Sequence, residues 1–418
     1  MRKMKDSGIA WIGEIPEGWK TAPIGTHYEY RNEKVSDYEY APLSVTKLGI
    51  VPQLEDAAKT DAHDSRKKVC VDDFVINSRS DRKQSCGLSS LQGSVSLINT
   101  VLIHKGEIIP KYSAYLLNNY AFAEELYRWG TGIVADLWST KWELMKRITV
   151  PIPSKTEQKQ IADFLDKKCA EIDKLIELQE SMIEKLKEYK QSVITQAVTK
   201  GLDPDVPMKD SGIEWIGKIP EGWAIIPLKY CCKANQRVLS EKTDDNLLLE
   251  YIDIASVDDC GNINNVQLLE FKDAPSRARR IVKTNDIIIS TVRTYLKAIA
   301  RITDDYDNDI CSTGFAVLTP NKIKEGYLYY ALFSNIFTSR VEMYSNGISY
   351  PAINTSSLIA LSIAVPNSNE QQQIADYLDK KCAEIDDLIK LKEQKIEKLK
   401  EYKKSLIYEY VTGKKEVC

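Results

Sequence analysis

The chain is 418 residues long, yet it holds only 3 histidines, no Cys-x-x-Cys pair and no two consecutive prolines among its 15. Each gap removes a chemistry. Without a Pro-Pro pair there is no Asp/Asn-Pro-Pro-aromatic site of the amino-methyltransferase kind. Walker A, His-Glu-x-x-His and Gly-x-Ser-x-Gly are likewise missing, which takes away phosphate-loop, zinc-peptidase and serine-hydrolase readings. The cysteine spacings do not suit zinc, and an odd count of 9 reads as reduced thiols of a cytosolic protein. No apolar run approaches eighteen residues, and Met1-Arg2-Lys3 leads into Asp6 and Gly8, not into a signal core, so a soluble, cytoplasmic protein is expected. The net charge is −3, so contact with nucleic acid would have to rest on local patches. His27, His63 and His104 all fall in the first half and read as surface or packing residues. Gly130-Thr131-Gly132-Ile133-Val134-Ala135 imitates a dinucleotide fingerprint, but it follows a helical pattern where a strand is required, and it is taken as a turn.

What the chain does have is a copy of itself. Met4-Lys5-Asp6-Ser7-Gly8-Ile9, Trp11-Ile12-Gly13 and Ile15-Pro16-Glu17-Gly18-Trp19 return as Met208 to Ile213, Trp215 to Gly217 and Ile219 to Trp223. Glu157-Gln158 through Ile194 returns as Glu370-Gln371 through Ile407. Between the copies lie Gly25 to Thr156 and Lys229 to Asn369, which hardly resemble each other. A duplicated frame with unlike inserts suits two different readers on one scaffold. The division expected is a first domain 1–153, a long helix 154–200, a linker 201–207, a second domain 208–366 and a second long helix 367–413.

The repeated helical blocks carry apolar residues at spacings of three and four: Ile161, Leu165, Ile172, Leu175, Ile183 and Leu186 in the first, Ile374, Leu378, Ile385, Leu388, Ile396 and Leu399 in the second. Ser154 followed by Glu157 predicts an N-cap closed by a capping box, and Lys200-Gly201 a stop. About forty residues at 1.5 Å each give a rod of roughly 60 Å, too long to be buried on all sides in a globular core. The two rods are expected to pair, preferably antiparallel, so that one insert stands at each end. A partner's helix is the other candidate for the seam. Cys169 and Cys382, at matching positions, read as small residues on the helix flank. The tail Tyr410 to Lys414 imitates Ala197 to Gly201, so it should pack near the N-terminal block as its counterpart leads to the Met208 block.

Each insert reads as α+β, strands first and helix later. The first has strands at Tyr40 to Val45, Asp73 to Ser78 and Val95 to Ile103 and a helix from Lys111 to Trp129. The second has strands at Asn246 to Ile254, Asp286 to Thr291 and Cys311 to Leu318 and a helix from Tyr327 to Phe337. Asp73 and Asp286 take matching corners. Positive charge gathers beside the matching strands: Arg66, Lys67, Lys68, Arg79, Arg82 and Lys83 in one, Arg277, Arg279, Arg280, Lys283, Arg293, Lys297 and Arg301 in the other. Such clusters are the footprint of a phosphate-facing surface, with Arg able to read guanine in the major groove, or else they are solvated faces. Tyr295 packs either on sugar and base or within its own fold.

The twice-seen Lys-Asp-Ser-Gly-Ile-x-Trp-Ile-Gly-x-Ile-Pro-Glu-Gly-Trp and Glu-Gln-x-x-Ile-Ala-x-Phe/Tyr-Leu-Asp blocks closely resemble the specificity subunit of type I restriction-modification enzymes, over essentially the whole chain. That resemblance implies two globular target recognition domains separated by an antiparallel helical pair with pseudo-two-fold symmetry, each domain reading half of a split, asymmetric sequence in double-stranded DNA. It implies a non-catalytic chain with no cofactor of its own. S-adenosylmethionine, ATP and Mg would belong to two methyltransferase subunits, which modify adenines, and to two restriction subunits. Base-reading residues are not carried over by it, so the cationic clusters and Tyr295 stand on charge and position alone. Trp11, Trp19, Trp215 and Trp223 are either core anchors or part of a docking surface for the partner subunits. A coiled-coil scaffold with protein-binding inserts, or a silent specificity cassette, are the rival readings.

Overall fold

The computed structural model describes residues 2–55, 63–79, 82–132 and 138–417. Its two compact units do not follow chain order: one is Met1–Glu180 with Glu393–Cys418, the other Ser181–Lys392. Each therefore holds one repeated block, one insert and part of both long helices.

The long helices span Lys155–Lys200 and Ser368–Val411. Inside each unit they pair antiparallel. In the first unit Phe164 lies against Tyr410, ring centres 4.5 Å apart, and Lys403 grips both carboxylate oxygens of Asp173 at 2.6 and 2.7 Å. In the second, Lys190 grips Asp386 at 2.8 and 2.7 Å. The two ion pairs join the same two helix positions with the copies exchanged, the self-complementarity that a repeated seam demands.

Ile161, Leu165, Ile172, Ile183, Ile374, Leu378, Ile385 and Ile396 are buried as the spacing requires, and Leu186 and Leu399 are half-buried. Leu175 and Leu388 are the exceptions, at 44% and 48% exposed. These two occupy the same position of the repeat, and the reason is the same: the stripe steps from Ile172 and Ile385 by four residues to Ile176 and Ile389, so the residue three on faces out. Also buried are Cys169 and Cys382, expected on the helix flank, and the polar Gln179 and Lys190. All described cysteines are free thiols.

Ser154 accepts the Glu157 amide at 3.3 Å, and Asn367 accepts the Glu370 amide at 3.0 Å. The reciprocal half of the expected capping box is not made, because each glutamate is used elsewhere: Glu157 accepts from the Trp19 indole at 2.8 Å and Glu370 from Trp223 at 3.0 Å. At the far ends Gly201 and Gly413 take the left-handed conformation, with φ of 77° and 75°, that glycine adopts most readily after a helix.

Each insert is built on the same four-stranded antiparallel sheet. In the first unit the order is Cys86–Leu88, Phe74–Asn77, Asn99–His104, Tyr28–Tyr30; in the second, Ile299–Arg301, Ile287–Ser290, Phe315–Pro320, Cys232–Ala234. The inserts are closed at their base by Lys20–Pro23 on Thr149–Ile152 and by Ala224–Pro227 on Ser362–Val365. They differ in what is added: a three-stranded sheet and a hairpin in the first, a second four-stranded sheet with one parallel pair in the second.

Four expected elements are each two. Val95 to Ile103 divides into Gly93–Ser96 and Asn99–His104, and Cys311 to Leu318 into Ile310–Ser312 and Phe315–Pro320. The first break is hidden because the turn residues, Leu97 and Ile98, are apolar and exposed. The helices divide into Pro110–Leu116 and Tyr120–Arg128, and into Glu325–Phe333 and Asn335–Met343. At each break a side chain caps the second helix: Asn119 accepts the Phe122 amide at 2.9 Å, and Ser334 the Phe337 amide at 3.4 Å.

Candidate nucleic-acid interface

Asp73 and Asp286 open matching strands and tie matching knots. Asp73 accepts a bidentate pair from Arg31 at 2.8 and 3.0 Å and the Cys70 amide at 2.7 Å. Asp286 accepts from Arg237 at 2.5 Å, from the Lys283 amide at 2.9 Å and from Thr319 at 2.6 Å. Both carboxylates are buried, so these partners are what keeps an ion in the fold. They are structural, and they fix the base of the strand whose far end leads to the cationic loop.

Beyond that strand the two inserts converge on one arrangement. Arg79 bridges to Ser139, which also bridges to Thr131; Val292 bridges to Ala352, which also bridges to Asn346. The loop after the strand thus meets the loop after the paired helices in both units. Arg79, Arg82 and Lys83 sit on this strand-end loop in the first insert, Arg293, Tyr295 and Lys297 in the second. Arg82 is exposed, and Lys83 reaches Glu124 at 3.0 Å while lying 4.2 Å from the centre of the Tyr127 ring. Arg293 and Lys297 both have φ of 50°, conformations that hold a short 3-10 turn, Thr294–Leu296, between them. Arg293 is exposed and lies 4.9 Å from the centre of the Tyr350 ring; Tyr295 is 54% exposed. Lys297 stands 4.0 Å from Glu342. Of the segment expected as a turn, Gly130 follows the helix end and Thr131 bridges to Ser139, while Ile133 to Ala135 lie outside the described residues.

Of the remaining cations, three are held inside, against expectation, and the others are paired or covered near the surface. Arg66 and Lys67 are buried: Arg66 donates to the Ser94 hydroxyl at 2.8 Å and its carbonyl at 3.1 Å, and Lys67 to the Asn99 carbonyl at 2.6 Å. Neighbours on a strand face opposite sides of the sheet, and on the central strand Arg66–Val69 both sides are covered, so each is buried on its own face. Arg280 donates to Asn235 at 2.6 Å and to the Phe315 carbonyl. Burial pushes the Arg66 and Arg280 guanidinium pKa values down, the mark of charges held inside against desolvation. These three leave the set of surface contacts. Lys68 pairs with Glu33 at 2.9 Å, Arg277 with Asp253 at 2.8 Å, Lys283 with Asp307 at 3.2 Å, and Arg301 stands 3.8 Å from Asp379. Arg279 bonds its neighbour's carbonyl and covers Phe271.

The repeated blocks prove to be a clip that fastens each insert to its helix. Gln158 is fully buried; it accepts the Ile109 amide at 2.9 Å and donates to the carbonyls of Glu107 and Pro153 at 2.9 and 3.0 Å. Gln371 does the same with the Lys324 amide at 2.9 Å and the Pro366 carbonyl at 2.8 Å. About two helical turns further, Tyr115 donates to Asp166 at 2.6 Å and Tyr330 to Asp379 at 2.7 Å. Tyr112 bonds the Val411 carbonyl at 2.9 Å and Tyr327 that of Ala364 at 2.7 Å. Trp11, Trp19 and Trp223 are core anchors; Trp215 is half-buried under Arg340. The doubled Glu-Gln was the sequence signal for this clip, but tyrosines in unlike inserts gave none. Within the first unit the tail also returns to the N-terminal block, with Lys414 on the Glu14 carbonyl at 2.5 Å and Tyr408 on that of Trp11 at 3.2 Å.

The histidines do no joint chemistry: His27 is buried, His63 pairs with Asp37 at 2.9 Å, and His104 bonds the Asp72 carbonyl at 2.9 Å. Asp258, Asp259 and Cys260 have converging ligand atoms, but Asp258 already accepts from the Cys260 and Asn262 amides, the pattern of a turn. Among the described residues no helix is long and apolar enough to cross a membrane.

Residues 220–401 match the family model described as the type I restriction modification DNA specificity domain. Along its length the chain is similar to a putative type I restriction enzyme MjaX specificity subunit of Methanocaldococcus jannaschii, 24% identical over 96% of this chain and 95% of the relative. It is also similar to the StySPI specificity subunit of Salmonella potsdam, 24% identical over 90% and 85%. Among solved structures, a chain from a study of type I R-M complex assembly and conformational transition superposes with a TM-score of 0.71 at 14% identity, covering 95% of this chain and 98% of that one. The HsdS subunit of Thermoanaerobacter tengcongensis gives 0.52 at 16% identity, covering 96% and 98%.

Proposed function

We propose, from the premise that this chain is a specificity subunit of a type I restriction-modification system, that its two inserts each read one half of a split, asymmetric sequence in double-stranded DNA. The observation that carries this reading is the convergence of two unlike inserts on one cationic loop position, Arg79 to Lys83 in the first and Arg293 to Lys297 in the second. Loops carry variation while a sheet holds their ends, which is how one fold presents two specificities. The antiparallel helices, locked by Lys190–Asp386 and Lys403–Asp173, set the unread gap between the halves. The chain itself catalyses nothing. Two methyltransferase subunits docked on it methylate adenines with S-adenosylmethionine, and two restriction subunits supply the ATP- and Mg-dependent step.

The test is to map modified adenines in a host with and without this chain and its partner subunits. A split motif that vanishes on deletion supports the reading; an unchanged methylome, with no salt-dependent affinity of the purified complex for duplex DNA, refutes it. Within the motif, Arg293→Ala relaxes one base position at a cost of about 1–3 kcal/mol if it reads a base, or weakens all sequences alike if it holds a phosphate.

A further inference from the structure

Ile348 is fully exposed, at 103% of its reference area, on a protrusion that is built to be held still. The flanking backbone closes through paired bonds between Asn346 and Ala352, both 2.9 Å, and is stitched to the cationic loop by the Arg293 amide on the Pro351 carbonyl at 2.8 Å. The hydroxyls of Thr294 and Ser345 add a contact at 2.8 Å. Gly347 has φ of 112°, and a Cβ there would stand 3.0 Å from the Tyr350 carbonyl oxygen, so the tip is shaped around a glycine. One exposed aliphatic side chain is ordinary at a protein surface; what sets Ile348 apart is that it is raised whole on a glycine-shaped tip stitched to the cationic loop. Arg293 lies over the exposed Tyr350 ring, two residues from Ile348, and the same loop carries the exposed Tyr295 and Lys297, which stands 4.0 Å from Glu342. A cationic base carrying a single apolar point fits a surface with an anionic rail and an apolar interior, which is what a nucleic-acid duplex offers between stacked bases.

We infer that Ile348 is a wedge that enters a base step of the half-site bound by the second insert, with Arg293 and Lys297 holding the flanking phosphates. This rests on the DNA-reading function proposed above. Apolar side chains inserted in this way unstack a step and bend the duplex, and so favour sequences whose steps open readily. Ile348 thereby determines specificity at a position where it makes no hydrogen bond.

The experiment uses the assembled complex and duplexes carrying the mapped split site, with 2-aminopurine placed at each successive position of both half-sites. Binding of the unaltered complex relieves quenching at one step only, and Ile348→Ser abolishes that signal while Ile348→Leu keeps it. The affinity of Ile348→Ser for the specific duplex falls roughly tenfold and its affinity for unrelated duplex stays the same, a loss the size of one mismatched base pair. If specific, salt-dependent binding is intact but no position loses quenching, or Ile348→Ser keeps the signal, the wedge is refuted and the DNA-reading function stands. If the unaltered complex binds no duplex in a salt-dependent way, both fall together.

Discussion

Replacing Gln158 by leucine tests whether the Glu-Gln doublet is a clip or a surface for partners. The side chain is fully buried and makes three hydrogen bonds, to the Ile109 amide and to the carbonyls of Glu107 and Pro153. Leucine fills similar space and makes none. It leaves one buried donor and two acceptors without this partner, and each such loss costs about 1–3 kcal/mol, with the carbonyls at the low end because they keep a second lone pair. A total of about 3–5 kcal/mol is therefore expected, and it falls at the start of helix Pro110–Leu116. The local assay is amide hydrogen exchange. A loss of about 3 kcal/mol in the opening free energy speeds exchange roughly 150-fold. That acceleration is expected for the Ile109 amide and the first turn of its helix, while amides 324–333 in the second unit keep their rates. Gln371→Leu is expected to give the mirror result, with the Lys324 amide accelerated and Ile109 unchanged. Unchanged exchange at Ile109, with loss only of partner-subunit binding, would show that the doublet is a docking surface and that the clip reasoning is wrong.

Three further outcomes follow from the same geometry. Asp386→Ala leaves the nearly buried Lys190 ammonium without its partner and is expected to cost about 1–2 kcal/mol in urea unfolding of the second unit, a modest figure because Asp386 is itself half exposed. Adding Lys190→Met should recover most of it, and strict additivity of the two changes would refute the pairing. His27 is buried, and desolvation holds its pKa below 6.5 despite the opposing charge of Glu107, so the fold keeps it neutral. Its contribution is full above pH 6.5 and is lost as pH falls through the depressed folded value. Thermal melts should show a midpoint falling between pH 7 and pH 5 that His27→Leu flattens; a slope unchanged in that variant assigns the loss to other groups. Trp223→Phe removes the donor to Glu370 but keeps most of the ring, and should cost about 1 kcal/mol with a matching loss in Trp19→Phe against Glu157. A cost near zero in both would mean that the indoles serve only as bulk.

The repeat, the two long helices, the strand-then-helix order of the inserts and the matching corners at Asp73 and Asp286 were legible in the chain, because each depends on periodicity or on a residue type whose local preference is strong. The four divided elements were not: a turn of Leu97 and Ile98, or a cap by Ser334 inside a run of apolar residues, carries no compositional signal. The seam was legible only in part. A three-or-four spacing fits Leu175 as well as Ile176, and only packing decides which faces the partner helix. Charge read along the chain could not separate Arg66, turned into a central strand, from Arg82, exposed on a loop, since both are arginines near one strand. Local sequence thus set which segments form and where their copies match, because hydrogen bonding and amphipathicity act over a few residues. Which cations face outward, which glutamine fastens an insert and where Ile348 stands were decided by tertiary structure, because burial is a property of neighbours far away in the chain.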